Sequence, residues 1–433
     1  RLWTFARLHH QMYEPVVAQW NAEHTPRVQM TLLSIPALEQ RMLSAFLART
    51  STASMIEAER RIAARAFTGP LESVGFVDLT DRLRDEGLLD QINTPSFSPW
   101  SSRGRIFGIP HDIHPITLAY RADIIEKAGI DLTTAETWDD FVRLLRPLMA
   151  DNDGNGEPDH FLLNFWETNL EQLEVFILQA GGCFFDAAGE PAMASEINAH
   201  VLATMTSWCN GPDRICADAP EFSASGNQLI LNGYVLAALM PDWMCNVWKN
   251  EIPQLAGKVK LMPIPAWKKG GLRTSVRGGT MLGFARDAGD FDEMWPFAKH
   301  LYLSRELARE LYHRGDIITP VKTLWDDPVF DEPDPYFCNQ AKGRLYIELA
   351  PTVPERTSSP YNRLAQLRMQ DALVSLGKHA RDSRQFSVTE LMPEARRQLR
   401  LAEDTVRREL QRNVFLREQA AAASTQTESA VTP

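Results

Sequence analysis

The stretch from Gly104 to Asp131, GRIFGIPHDIHPITLAYRADIIEKAGID, sets the tightest limits on how this chain can fold. Ile106 to Ile109 is a short apolar run with strand character, closed by Pro110, which cannot donate to a ladder. His111, Asp112 and His114 follow beside Pro115, so two imidazoles and a carboxylate share one stiffened turn. Ile116 to Tyr120 is apolar again, and Asp123 to Gly129 reads as a short helix stopped by its glycine. Thr137 with Asp140 three residues on is a capping-box pattern that should start a longer helix. Phe141, Leu144, Leu145 and Leu148 mark the buried face of that helix.

Upstream, the pattern alternates. Residues 2–6 read as a strand, and a helix carrying His9, His10, Tyr13, Val16, Val17 and Trp20 follows it. Met30 to Ser34, a helix from Ala37 to Ala48, and a third strand from Ser54 to Ala58 come next. Strand and helix in alternation predict an α/β fold with mostly parallel sheets covered on both faces. Ligands of such sheets sit beyond the carboxyl ends of the strands. That brings Arg7 to His10, Ser34, and Glu57 to Glu59 forward as candidates.

The segments FGIP, LAYRADIIEKAGID and TWDDF, at their fixed spacings, resemble the central signature of the family 1 extracellular solute-binding proteins. These are the capture subunits of ABC importers for sugars and oligosaccharides, and maltose-binding protein belongs to them. Arg121 stands here where the family commonly has asparagine. The resemblance is weaker elsewhere and spans roughly residues 2–380. It implies a type II periplasmic-binding-protein-like fold, two α/β lobes hinged by about three crossings near 110–113, 265–276 and 316–321. Residues 1–110 with 277–318 would form one lobe, and 111–276 with 319–415 the other. Residues 416–433 have the composition of a disordered tail.

The same resemblance implies a ligand site. An acidic residue soon after the third strand bonds sugar hydroxyls in relatives; Glu59 is the nearest match and Glu57 the alternative. His111, Asp112 and His114 would face the cleft after the hinge strand. Trp166, after a strand at 161–165, and Trp243, at the end of a buried strand beside Asp242, stand where relatives present aromatics to the ligand. Tyr361 is a further stacking candidate. Arg277, Gly278 and Gly279 match a segment whose backbone approaches the ligand, since glycine leaves room. Most of the 11 tryptophans should nonetheless be core. The expected partners are a small carbohydrate and a membrane permease, with the chain itself a monomer and no cofactor required. A polyol, a glycerophosphodiester or a peptide remains an alternative ligand, and an acidic sugar would need Arg7 or Arg277 in the cleft.

The loop DNDGNGEPD, residues 151–159, places Asp151, Asp153, Asn155, the Glu157 carbonyl and Asp159 at the alternate spacing of a calcium loop, with Gly156 at the turn. The twelfth position is Leu162 and the tenth is His160, where a carboxylate would complete known versions. A structural calcium ion is therefore an expectation with an incomplete ligand set.

Composition excludes several classes. With 45 Lys and Arg against 56 Asp and Glu, the net charge of -11 opposes binding to nucleic acid or an anionic membrane. No apolar run approaches the roughly 20 residues of a membrane span. The start at Arg1, directly before a strand, leads us to expect a secretory leader or lipoprotein anchor ahead of this segment and a periplasmic or extracellular location. Among five cysteines, Cys209 and Cys216 bracket a turn and could close a small disulfide loop, with at least one thiol left over. GxxxxGK[ST], GxSxG and HExxH are all absent, which removes the local signatures of three enzyme classes. A carbohydrate-active enzyme with paired carboxylates, or a binding protein serving a sensor, remains the rival reading.

Overall fold

A computed structural model describes residues 1–413 apart from Asp153 and Asn155. Two of the proposed calcium ligands and the proposed tail at 416–433 therefore lie outside the described residues. In chain order the strands are β1 (Leu2–Thr4), β2 (Met30–Leu32), β3 (Met55–Glu59), β4 (Ser101–Ser102), β5 (Arg105–Ile106), β6 (Ile109–Pro110), β7 (Ile116–Arg121), β8 (Phe161–Asn164), β9 (Cys216–Ala217), β10 (Val235–Pro241), β11 (Val259–Pro263) and β12 (Thr280–Phe284). They form two five-stranded sheets, ordered β2-β1-β3-β12-β6 and β11-β7-β10-β8-β9, and a small β4-β5 hairpin. Helices cover both sheets, giving the two-lobed α/β architecture that the sequence implies.

Each sheet is mixed, where mostly parallel sheets are expected. β1 runs parallel to β2 and β3, but β12 runs antiparallel to β3 and β6. In the second sheet β7 is antiparallel to β10 and β11, while β8 is parallel to β9 and β10. The crossings are the cause. A strand that enters a lobe from its neighbour starts at the cleft and runs away from it, against the strands that end there.

The apolar run at 106–109 is split between β5 and β6, and Pro110 lies within β6, opposite Met281. Two crossings then run side by side: His111 N donates to Thr280 O at 2.9 Å, and Ile116 N to Ser275 O at 3.0 Å. The second crossing is thus 274–280. Residues 265–273, expected to be part of it, stay on the second lobe, where Ala266 bridges Thr137 and Trp267 Nε1 donates to Phe176 O at 3.1 Å.

The apolar residues from Phe291 to Tyr312 recur at helical spacing, but the segment is two helices, Phe291–Tyr302 and Arg305–Gly315. Ser304 breaks it: its side chain accepts from Leu307 N and caps the second helix. At the carboxyl end, helices Asn362–Ser383 and Val388–Arg412 pack on the second lobe, and Leu373, Leu376, Leu391 and Leu399 are fully buried in its core. Cys209 and Cys216 are buried free thiols, and the other three cysteines are free as well, so the bridge that the spacing allowed is not formed.

Candidate ligand-binding cleft

A cleft of about 490 Å³ lies between the sheets at the carboxyl ends of β1, β3 and β10. Phe5, in the turn after β1, and His9, in the first turn of helix Arg7–Glu23, reach the cleft. β3 delivers Glu59, Arg60 and Arg61. The crossings contribute Asp112, His114, and Val276 to Thr280. The second lobe adds Glu171 and Glu174 from helix Leu170–Gln179, and Phe222, Trp243 and Asn246 near the start of helix Asp242–Glu251.

Trp243 is the aromatic wall. Its Nε1 donates to Arg277 O at 3.4 Å, and the exposed Phe222 ring lies nearly parallel to the indole at a centroid separation of 6.2 Å. The Arg277 guanidinium sits 5.7 Å from the indole ring. Gly278 has φ +96 and Gly279 φ +121, conformations that glycine alone adopts readily. A Cβ on Gly278 would lie 3.0 Å from Trp243 Nε1, and one on Gly279 would lie 3.2 Å from Arg356 Nη2.

The polar groups of the cleft are largely committed to one another. Arg60 Nη2 meets Glu174 Oε2 at 2.6 Å, joining one lobe to the other, and Gln366 Nε2 donates to the same oxygen at 2.9 Å. Glu59 binds Arg61, and Arg277 binds Glu221 in a two-pronged pair at 2.7 and 2.8 Å as well as Glu171 at 3.0 Å. Burial opposes the charge on Glu174 and Glu221, but Arg60 and Arg356 near the first, and Arg277 beside the second, hold both carboxyls below their usual range. Arg356 Nη2 donates to Gly278 O at 2.8 Å; burial, with Arg60 close by, pushes its guanidinium down to about 9.

His114 is clamped between two carboxylates, Asp112 Oδ1 at 2.8 Å from Nε2 and Asp242 Oδ1 at 2.6 Å from Nδ1. Burial disfavours its charge, yet the two acids raise it to about 10. Both ring nitrogens must donate, so the ring has no hydrogen-bonding atom left for a ligand hydroxyl, contrary to the expected role. Asp242 is fully buried and also accepts from Trp243 N at 2.9 Å and Ile318 N at 3.0 Å. It anchors the first and third crossings to the start of the helix that carries Trp243 and does not reach the cleft.

Of the residues proposed from sequence, His9, Glu59, Asp112, His114, Trp243, Arg277, Gly278 and Gly279 line the cleft. The others do not. His10 turns to Thr4 Oγ1 at 2.9 Å, and Ser34 sits exposed at a helix start whose next residue, Ile35, lines the cleft in its place. Glu57 lies in the middle of β3, fully buried, where it accepts from Tyr13 and Tyr302 at 2.7 and 3.1 Å. His111 is buried behind Asp112, and Trp166 packs on the second-lobe core. Tyr361 lines a different cavity with Arg103 and Glu190.

Sequence reading missed Phe222, Arg60, Glu174 and Arg356. Phe222 carried a usable signal, an aromatic between Glu221 and Ser223 in a turn-rich polar segment. Arg356 carried none, since only the fold brings it to Gly278.

In the loop at 151–159, Asp151 accepts from Gly154 N at 2.7 Å and Gly156 N at 2.8 Å, while Asp159 Oδ2 accepts from Asn152 Nδ2 at 2.6 Å. The Glu157 side chain pairs with Arg214.

Comparison with known proteins adds three kinds of likeness. The family model for bacterial extracellular solute-binding proteins matches residues 8–304. An arabinooligosaccharide-binding protein of Halalkalibacterium halodurans is 24% identical over 343 residues, 77% of this chain and 74% of that protein. A second protein of that description, from Bacillus subtilis, is 24% identical over 283 residues, 64% of this chain and 63% of its own. Among solved structures, the sugar-binding protein MalE from Xanthomonas citri superposes with a TM-score of 0.75 at 14% identity, covering 95% of this chain and 98% of its own.

Proposed function

This chain belongs to the family of bacterial extracellular solute-binding proteins, and we propose that it captures a sugar or oligosaccharide in the interlobe cleft and presents it to an ABC permease. The observation that carries this reading is Trp243, an indole just past the end of β10 that faces the cleft with Phe222 parallel to it. Flat apolar rings suit the apolar faces of pyranose or furanose rings, and the surrounding carboxylates and arginines suit hydroxyls that must not be buried unpaired. The relatives described as arabinooligosaccharide-binding proteins support an oligosaccharide of that kind. Closure by hinge motion at the paired crossings would trap it.

The reading is one of recognition without chemistry. General acid catalysis needs a carboxyl raised toward neutrality, whereas Glu174 and Asp112 are both held low by cationic neighbours. Glu59 and Glu171 are ion-paired to arginine. Action as a monomer, export, and anchoring to the outer face of a membrane belong to the same proposal.

A thermal-shift screen against arabinose-, galactose- and glucose-based oligosaccharides tests it, because a ligand of the folded state raises Tm by mass action. The expected result is a saturable rise with one class, reduced in Trp243→Ala, and no product after hours of incubation. No rise with any sugar would remove the carbohydrate assignment, and product formation would replace it with catalysis. Calcium and chelator arms of the same screen decide whether the loop at 151–159 holds an ion.

A further inference from the structure

Behind the cleft wall, three residues far apart in sequence meet in the first lobe. His9 lies in the first turn of helix Arg7–Glu23, Glu57 is the middle residue of β3, and His111 opens the first crossing. They are 7%, 0% and 2% exposed. One ligand-type atom from each lies within 4.8 Å of the others.

Two of their atoms are orphans. Glu57 Oε1 accepts from Tyr13 and Tyr302 and lies 3.0 Å from His9 Nδ1, but Oε2 has no partner. His111 Nδ1 lies 2.9 Å from Asp112 Oδ2, and Nε2 has no partner. The tautomer follows from chemistry. An ionised carboxylate only accepts, so Nδ1 carries the proton and donates to Asp112. His111 Nε2 is then an acceptor, Glu57 Oε2 is a second buried acceptor of the same cluster, and neither has a donor among the described residues. Buried acceptors without a donor are rare and call for an explanation.

We propose that His9, Glu57 and His111 form a binding site for a divalent transition-metal cation of the zinc class. Two imidazole nitrogens and one carboxylate oxygen, with an open fourth position, are a known zinc ligand set. The support around them is also of the right kind. A metal-binding imidazole usually donates its other N–H to a carboxylate, which fixes the ring, and Asp112 does this for His111. An ion here would tie the first crossing to β3 and to the helix that carries His9 into the cleft. The site is independent of which ligand the cleft takes.

The experiment uses the chain stripped with chelator and then given zinc or cobalt(II) alone. One equivalent of zinc should be retained after gel filtration, Tm should rise, and cobalt should give the visible bands of a low-coordinate nitrogen and oxygen site. His111→Gln and His9→Gln should each lose uptake, His10→Gln should retain it, and Asp112→Asn should weaken it by roughly 10- to 100-fold. Both glutamine variants must keep the wild-type circular dichroism spectrum, so that loss of uptake is not loss of fold. Uptake that persists in His111→Gln, a sulfur-to-cobalt charge-transfer band, or no retained metal in the wild type would each overturn the assignment.

Discussion

His114 Nδ1 and Asp242 Oδ1 lie 2.6 Å apart, and this bond fastens the first crossing to the start of the helix that carries Trp243. The backbone of His114 is left-handed, with φ +44, a conformation that costs a non-glycine residue energy and needs the surrounding structure to hold it. The second ring nitrogen meets Asp112, and Asp242 continues to Ile318 N on the third crossing. Asp112 Oδ1 also accepts from Thr280 N at 3.3 Å on the second crossing, so the imidazolium and its two carboxylates together link the three segments on which the lobes turn.

That linkage makes stability depend on pH in a set direction. The folded His114 value is raised to about 10, above the ordinary histidine value of 6.5. Its contribution is complete below pH 6.5 and is lost as pH rises through about 10. We expect the unfolding free energy from urea titration to fall across this window, by at most about 1.4 kcal/mol per unit of pH. His114→Gln should be less stable at pH 6 and should flatten the slope. A wild-type profile flat from pH 6.5 to 10 would show that the imidazolium is not retained.

The Arg60–Glu174 pair should be a second point of strength. Both side chains are buried, they come from different lobes, and the bond is 2.6 Å long. Removing Glu174 leaves Arg60 beside Arg356 with no carboxylate, and loss of one partner of a buried pair costs about 3–5 kcal/mol. Glu174→Gln should show that loss in urea unfolding. A change below about 1 kcal/mol, the range of exposed pairs, would mean that the lobes open and hydrate Arg60 in the free protein.

A helix cap provides the contrast. Thr137 Oγ1 accepts from Asp140 N at 3.2 Å and the Asp140 carboxylate returns to Thr137 N at 3.1 Å, far from the cleft. Thr137→Ala should cost about 1 kcal/mol of stability and leave Kd for any sugar hit unchanged. A shift in Kd would mean that this helix moves on closure.

These features were unequally legible in the sequence. The capping box and the left-handed turn at Gly129 involve residues within a few positions of each other and were read from local spacing, although the helix expected to run to Gly129 is only Ala122–Ile125. The strands at Val235–Pro241 and Phe161–Asn164 were readable from their apolar runs Val235–Met240 and Phe161–Leu163, the pattern of strands buried on both faces. His114 was misread because its partner Asp242 is 128 residues away, and nothing local shows that both ring nitrogens are taken. Glu57 and Glu59 share a face of one strand, and only the depth of the sheet assigns one to the core and the other to the cleft. Trp166 failed for a related reason: Asn164–Trp166 leaves β8, which lies next to the edge strand β9, away from the switch between the lobes.

Gly278 offers the sharpest test of the cleft, because a single methyl group acts there in two ways. At φ +96 any side chain is strained, and its Cβ would come within 3.0 Å of Trp243 Nε1 and 3.1 Å of His114 Cδ2. Neither ring can retreat freely, since Nε1 is bonded to Arg277 O and His114 is held from both sides. Gly278→Ala should therefore rotate the indole and weaken sugar binding by about tenfold or more. Trp243→Ala, which removes the stacking face of a typical interface hot spot, should cost about 2 kcal/mol, roughly thirtyfold in Kd. If both substitutions act through the indole, the double variant should bind no worse than Trp243→Ala alone. Additive losses in calorimetry would place the effect of Gly278 on the ligand itself, with its backbone in direct contact, and not on Trp243.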